Sequence, residues 1–189
     1  SVNILDAQGN SLKFRTLSAM TAGQLGILDR FYDPKVLYDP TTDRFILVFL
    51  EGSNSDDTRI VVGFTQTNDP TGLWNFYAIN GNPNGGAKWS DYPIIAHNKE
   101  DLYITVNVLR DNESWQEGFV QSVIWQVNKA SGYDGDTVLT QNLYSDIMYK
   151  NEPVWSICPV QPAIDMDQDN MYFLSVRPDA ESNDTLLLH

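Results

Sequence analysis

Cysteine, histidine and positive charge are scarce in this chain of 189 residues. It has one cysteine, two histidines, and 12 lysines and arginines against 25 aspartates and glutamates, for a formal net charge of −13. Cys158 alone cannot form an intrachain disulfide or a Cys-pair metal site, and its neighbours Ile157 and Pro159 predict a small buried side chain. His97 within a predicted strand and His189 at the last position do not support a Ser-His-Asp catalytic triad.

The acidic balance and the short apolar runs exclude several classes of partner. Surplus negative charge repels polyphosphate, so nucleic acids and anionic membrane surfaces are not expected, whereas a cation or a basic protein is compatible. Acidity is also a common solubility device of exported proteins. No window offers the roughly 18 apolar residues of a membrane-spanning helix. The longest apolar runs, such as residues 45–50, have the length of strands, and we expect no membrane insertion.

A repeated pattern predicts the architecture. Pro34, Pro93 and Pro162 each begin a similar segment that places Asp or Asn five residues later, where a hairpin turn would start. Proline is tolerated at the first residue of a strand or on an unpaired edge, and Asp- or Asn-rich turns close hairpins. Each unit is therefore predicted to open with two paired strands, and a third apolar alternation follows in each. The second strands of the units are predicted at 45–50, 102–109 and 171–176. The third strands are predicted at 59–65, at 119–127 and from about 185, and the fourth strands of the first two units at 74–79 and 138–143.

Four short strands per unit are typical of a β-propeller blade. The sequence predicts an all-β fold of about three four-stranded antiparallel β-propeller blades in an incomplete ring. Residues 1–30, with a hairpin around Gly9, would supply outer strands of a preceding blade plus a connector. The blades would span 31–80 and 90–144, with a truncated one at 159–189. Since propellers close with typically four to eight blades, we expect continuation past His189, or further copies, to complete the ring. A β-sandwich of the same strands is the alternative fold.

Three segments resemble a largely uncharacterised family of exported bacterial proteins. Residues 31–45 contain the pattern Asp-Pro-x-Val-x-Tyr-Asp, residues 67–74 contain Asp-Pro-Thr-Gly-x-Trp, and residues 89–93 contain Asp-Tyr-Pro. The resemblance covers most of the chain and is most specific in its first half. It implies secretion and a propeller-like repeat, commonly beside adhesion-type modules, and it implies no established catalytic activity.

A looser resemblance is to the sialidase-type propellers. Their Asp-box turn runs Ser-x-Asp-x-Gly-x-Thr-Trp between the third and fourth strands of a blade. Thr67, Asp69 and Trp74 keep this spacing, whereas Gly72 is displaced by one position and Leu73 precedes the tryptophan. Asp boxes are structural turns far from the sialidase active site, so the resemblance does not imply sugar cleavage.

A run of alternating acids resembles the start of a calcium loop. Asp165, Asp167 and Asp169 could converge oxygen ligands on one ion. An EF-hand would then need glycine at the sixth position, where Asn170 stands, and glutamate at the twelfth, where Val176 stands. Because the equivalent turns of the other two units join the same two strands, a hairpin turn is favoured. We predict no cofactor, with Ca²⁺ as the open alternative.

The predicted topology gathers polar and aromatic residues on one face. In a propeller, the loops that enter the first strand and those that join the second to the third open around the central channel. Trp115 and Trp89 are predicted in these loops, where an aromatic ring can stack on a sugar or anchor a protein; Trp89 has the alternative of packing against the next blade. The acidic residues in these loops could form a binding face or, alternatively, a solvated rim without a ligand. The candidate ligand-binding residues are Asp33, Glu51, Trp89, Asp91, Asn107, Arg110, Trp115, Gln161 and Arg177.

These features favour an exported, non-catalytic binding or adhesion module at the cell surface or outside the cell. It would recognise a glycan, a protein or a cation through an acidic loop face. One alternative is a glycan-active, sialidase-like hydrolase whose remaining catalytic residues lie outside this chain. Another is a structural subunit that assembles through open blade edges.

Overall fold

The computed structural model describes residues 1–26, 30–162, 170–176 and 186–189. These residues form an all-β protein of antiparallel sheets with short helices. The chain begins with a hairpin of β1 (Val2–Leu5) and β2 (Ser11–Arg15), followed by helix α1 (Leu17–Thr21). Asp6 closes the hairpin turn by accepting the backbone N–H groups of Gln8 and Asn10. The predicted hairpin around Gly9 is confirmed.

Two four-stranded sheets follow, each a meander in which consecutive strands are hydrogen-bonded neighbours. The first sheet consists of β3 (Phe31–Asp39), β4 (Arg44–Glu51), β5 (Arg59–Thr65) and β6 (Trp74–Asn80). The second sheet, with its helices, consists of β7 (Lys88–His97), β8 (Asp101–Arg110), α2 (Trp115–Gly118), β9 (Phe119–Asn128), α3 (Lys129–Tyr133) and β10 (Gln141–Tyr144). The predicted order of these eight strands is confirmed. Two bounds differ, since β7 begins before Pro93 and β10 begins three residues after the predicted start at 138, and α2 and α3 were not predicted.

The rest of the chain forms two smaller sheets. One is a hairpin of β11 (Met148–Tyr149) and β12 (Glu152–Pro153), and the third sheet consists of β13 (Cys158–Pro159), β14 (Phe173–Val176) and β15 (Leu186–Leu188). β13 pairs with β14, and β14 with β15. Because β13 begins at Cys158, the paired part of this strand precedes Pro162, the proline on which the repeat was aligned.

Pro34 and Pro93 lie at β-bulges on the edge strands β3 and β7, where pairing with the next strand is interrupted for two residues. The residue before each proline, Asp33 or Tyr92, has a positive φ, 49° or 56°. Proline has no N–H to give to a ladder, so an edge bulge accommodates it. Of the two expected placements for these prolines, the first residue of a strand or an unpaired edge, the structure has the edge, since β3 and β7 begin before Pro34 and Pro93.

The sheets pack face to face, and the central strands of the first two, β4, β5, β8 and β9, are largely buried on both faces. Residues 46–50 of β4 and 102–109 of β8 are buried without interruption, which explains why 46–50 is a continuous apolar run and why 102–109 is apolar apart from Thr105 and Asn107. One apolar cluster lies between the first and second sheets. A second lies between the first sheet and the β1–β2 hairpin with α1, and a third between the second and third sheets. Trp74 and Trp125 lie in these clusters, as predicted.

The turn between β5 and β6 is held by an aspartate. Asp69 Oδ1 accepts hydrogen bonds from the backbone N–H and the hydroxyl of Thr71, at 2.8 and 2.7 Å. These bonds hold the pKa of Asp69 below its usual value. Trp74 Nε1 donates to the carbonyl of Pro70 at 3.0 Å, and Lys13 Nζ donates to the carbonyl of Thr71. The turn therefore anchors β2 to the first sheet.

A buried ion pair connects the first and second sheets. Lys129 Nζ, at the start of α3, lies 2.7 Å from Asp39 Oδ2 at the end of β3, and both side chains are almost fully buried. Lys129 Nζ also donates to the carbonyl of Asn98 at 2.6 Å, and the Tyr133 hydroxyl donates to Asp39 Oδ2 at 3.0 Å. Burial alone would raise the pKa of Asp39, but Lys129 and Tyr133 outweigh it and hold that pKa below its ordinary value.

His97 completes this network. Its Nε2 lies 3.2 Å from the carbonyl oxygen of Tyr38, and its Nδ1 lies 3.1 Å from the carbonyl oxygen of Asn98 and 3.3 Å from Lys129 Nζ. Burial first, and then the charge of Lys129, lower the pKa of His97.

In the part of the chain that the structure describes, no helix is long and apolar enough to cross a membrane.

Candidate functional site

A cleft of about 420 Å³ opens between the start of β7, the end of β8, helix α2 and the segment that precedes β13. This volume lies within the range of small-molecule sites, roughly 300–1,000 Å³. The lining residues are Asp91, Tyr92, Asn107, Leu109, Trp115, Trp155 and Ser156. Three of the predicted site residues therefore meet here: Asp91, Asn107 and Trp115.

Aromatic rings form much of the cleft wall. Trp115 begins α2, and it is 61% exposed. Ser114 caps this helix by accepting a hydrogen bond from the backbone N–H of Glu117. Trp155 stacks on Phe119 with ring centroids 3.8 Å apart and meets the edge of Trp115 at 6.4 Å. Trp155 is thus fixed by packing, whereas Trp115 offers its ring to solvent.

A buried amide is oriented toward the cleft. Asn107 Oδ1 accepts hydrogen bonds from the Ser122 hydroxyl at 2.7 Å and from the backbone N–H of Ser156 at 3.1 Å. Asn107 Nδ2 donates to the Ser156 hydroxyl at 3.0 Å. Among the described residues, no acceptor is within hydrogen-bonding reach of the second Nδ2 hydrogen. This N–H group could therefore donate a hydrogen bond to a ligand oxygen.

Asp91 places a half-buried carboxylate opposite this amide. It is the β7 partner of Asn107 in the sheet register, directly before the bulge at Tyr92. Burial, and then the negative charge of Asp33 on the neighbouring β3, raise the pKa of Asp91, while a 2.8 Å hydrogen bond from the Tyr92 backbone N–H opposes them. Among the described residues, no cation forms an ion pair with Asp91.

Two other predicted site residues are engaged within the protein. Glu51 is only 4% exposed, and its carboxylate lies 2.6 Å from Arg59 Nε on the neighbouring strand. Arg110 pairs with Glu113 at 3.0 Å and donates to the carbonyl of Glu117. Arg110 thus stabilises the loop between β8 and β9 through contacts within it. Neither Glu51 nor Arg110 lines the cleft.

Trp89 lies within β7, so its predicted placement in a loop is wrong. Its ring packs edge-to-face on Tyr32 of the first sheet with centroids 6.3 Å apart. The Tyr32 hydroxyl donates to the carbonyl of Ser90 at 3.0 Å. Trp89 thus takes the alternative role of packing between sheets.

Gln161 lies at the far end of β7 from Asp91. Its Oε1 accepts the backbone N–H of His97 at 2.9 Å and its Nε2 donates to the His97 carbonyl at 3.0 Å, so it ties β7 to the segment after β13. Asp33 is exposed at the bulge of β3 and acts on the cleft only through its charge.

The remaining predicted residues lie outside the described part of the chain. They are Arg177 and the candidate calcium ligands Asp165, Asp167 and Asp169. Within the described residues there is no group of three or more His, Cys, Asp or Glu side chains that could hold a metal ion. Cys158, predicted to be buried, is exposed, because the short strand β13 leaves it outside the apolar cluster that covers Ile157.

Trp155 and Ser156 are site residues that the sequence analysis missed. A signal for them exists: Trp155-Ser156-x-x-Pro159 repeats Trp89-Ser90-x-x-Pro93. The alignment on Pro162 obscured this match, since it placed the third unit three residues too late. Aligned on Pro159, the repeat places a tryptophan and a serine at equivalent positions, near the start of β7 and just before β13.

Comparisons of the chain with protein-family descriptions, with curated proteins and with solved structures returned no match.

Proposed function

We propose that this protein is an exported, non-catalytic binding module of β-propeller architecture that holds a glycan in the cleft between Asp91 and Trp115. The observation that carries the proposal is the convergence of three groups in one cavity: an exposed indole, an oriented amide and a half-buried carboxylate. Carbohydrate recognition uses such a combination, because the C–H face of a sugar packs on aromatic rings while its hydroxyls bond to fixed polar groups.

The propeller architecture is supported by the arrangement of the sheets. Each of the first two is a four-stranded meander, and β7 contacts both β3 and β13, so the first strands of successive sheets are neighbours. Large apolar side chains are exposed on the first and third sheets, including Val36, Leu186 and Leu188. Further blades, from the same or another chain, would cover them and close the ring.

Replacing Trp115 with alanine is expected to weaken glycan binding about tenfold, because an exposed aromatic platform typically contributes more than about 1 kcal/mol to binding. The protein would first be screened against immobilised neutral, amino and acidic oligosaccharides, and calorimetry would then give the affinity of the best one. Phe14→Ala is the matched control, since Phe14 is 63% exposed on β2 and does not line the cleft. Failure of every sugar to bind, or equal affinities of the two variants, would contradict the proposal.

A glycan-active hydrolase is the second candidate, and one observation favours it. Burial, and then the charge of Asp33, raise the pKa of Asp91, and glycosidases use a carboxyl group with a raised pKa as the general acid. Against it, Asp91 is the one carboxylate that lines the cleft within the described residues. Release of reducing ends from the bound oligosaccharide, abolished by Asp91→Asn, would establish the hydrolase; its absence would favour binding.

A further inference from the structure

We propose that the cleft selects sugars that carry a protonated amino group, such as oligomers of glucosamine, over neutral and acidic sugars. This inference rests on the proposed glycan-binding function and names the class of glycan. It follows from the charge environment of Asp91 and from the aromatic rings beside it.

Among the described residues, Asp91 has no counter-ion. The charge that acts on it is that of Asp33 of β3, which is also negative, and within the same residues its hydrogen-bond donor is the backbone N–H of Tyr92. Arg110, at the end of β8, is already paired with Glu113. A ligand ammonium group would supply the missing positive charge, and charge-assisted hydrogen bonds are about twice as strong as neutral ones.

The aromatic lining favours the same kind of ligand. The rings of Tyr92, Trp115 and Trp155 line the same cleft as the carboxylate, and the faces of aromatic rings attract cations. Tyr92 reaches this position because the bulge gives it a positive φ, and its side chain is 55% exposed. A hexosamine can place its ring on these faces and its ammonium group near Asp91.

The charge of the whole chain disfavours acidic sugars. A formal net charge of −13, with Asp33 and Asp91 at the cleft, opposes the approach of a uronate or sialate carboxylate. N-acetylation would remove the positive charge of the sugar and leave its pyranose ring and hydroxyl groups unchanged. The free amine is therefore the feature that the cleft distinguishes.

The test compares β-1,4-linked hexamers of glucosamine, N-acetylglucosamine and glucose by calorimetry at about pH 6, well above the ordinary carboxyl pKa. The glucosamine hexamer is expected to bind about tenfold more tightly than either neutral hexamer. Asp91→Asn should reduce this ratio to about one, because it should weaken binding of the glucosamine hexamer about tenfold more than binding of either neutral hexamer. Asp136→Asn removes the same charge from an exposed site outside the cleft and should preserve the ratio, which separates local recognition from general attraction of a polycation.

The outcomes separate the two proposals. If the neutral hexamers bind as tightly as the glucosamine hexamer, or if Asp91→Asn keeps the preference, the inference is wrong and the glycan-binding function stands. If no hexamer or other sugar binds, the proposed function itself is wrong. Since the pKa of Asp91 is raised, the preference should fade on acidification at a higher pH than an ordinary aspartate would give.

Discussion

Replacing Lys129 with methionine is expected to lower the free energy of unfolding by about 3–5 kcal/mol, because removing one partner of a buried ion pair leaves the other charge uncompensated. Asp39 would keep its charge in a site with no access to water, with only the Tyr133 hydroxyl and the turn residues Thr41 and Thr42 as donors. Urea unfolding followed by tryptophan fluorescence measures the change. Lys150→Met is the control, because Lys150 is exposed and its variant should unfold like the wild type.

The double variant Asp39→Leu/Lys129→Met tests the explanation. Removing both charges leaves no uncompensated ion, so most of the stability should return, as apolar replacement of buried ion pairs often shows. A single variant within about 1 kcal/mol of the wild type would contradict the assigned role of Lys129. A double variant no more stable than the single one would show that packing, rather than charge, is at issue.

The same pair makes a signed contribution to the pH dependence of stability. The pKa of Asp39 in the folded state lies below its ordinary value of 3.8, so its contribution is complete above that value and is lost as the pH falls through the folded pKa. The wild type should therefore lose stability on strong acidification faster than the double variant. Parallel acid titrations of the two proteins, followed by circular dichroism, measure the difference.

Replacing Phe64 with alanine is expected to cost about 3–5 kcal/mol, since it empties a fully buried aromatic site. Phe64 of β5 meets the ring of Tyr133 edge-to-face, with centroids 5.2 Å apart, and the ring of Tyr77 at 6.3 Å. It therefore joins the first sheet to α3 of the second. Calorimetric and urea unfolding should both report the loss, whereas Leu73→Ala, at an exposed apolar position, should leave stability nearly unchanged.

Gly132 provides a second variant that tests this contact specifically. A Cβ atom at Gly132 would overlap the Phe64 ring, so Gly132→Ala should cost about 1–3 kcal/mol in the wild type by overpacking. In the Phe64→Ala background the overlap disappears, and the added methyl group should be harmless or stabilising. Additive effects of the two substitutions would contradict the packing described here.

The strands were predictable because each is short, apolar and bounded by turn residues. Residues 46–50 form a continuous apolar run, and residues 102–109 are apolar apart from Thr105 and Asn107, because both strands are covered on both faces. The turns around Gly9 and Asp69 are closed by hydrogen bonds to the Asp6 and Asp69 side chains. The bulges were only partly predictable. Proline indicates an edge, but the positive φ at Asp33 and Tyr92 follows from the pairing on either side.

The buried network could not be predicted because its members are far apart in sequence. Lys129 follows the end of β9 in a polar segment that reads as an exposed turn, and its partner Asp39 lies 90 residues earlier. The same limit applies to Glu51, whose position at a strand end suggested a loop but whose partner Arg59 lies on the adjacent strand. Within the cleft, Asp91, Asn107 and Trp115 followed from the repeat, and Trp155 would have followed from an alignment on Pro159.

The two bulges place different residues at equivalent positions of the two sheets. In the register, Tyr32 and its partner Leu50 in the first sheet correspond to Asp91 and Asn107 in the second. Tyr32 fills the space beside Trp89, whereas Asp91 leaves the space beside Trp155 open. The side chains at these two positions therefore decide whether the space between neighbouring sheets is filled or open. Substitutions confined to them can open or close a pocket there while the apolar clusters between the sheets keep their packing.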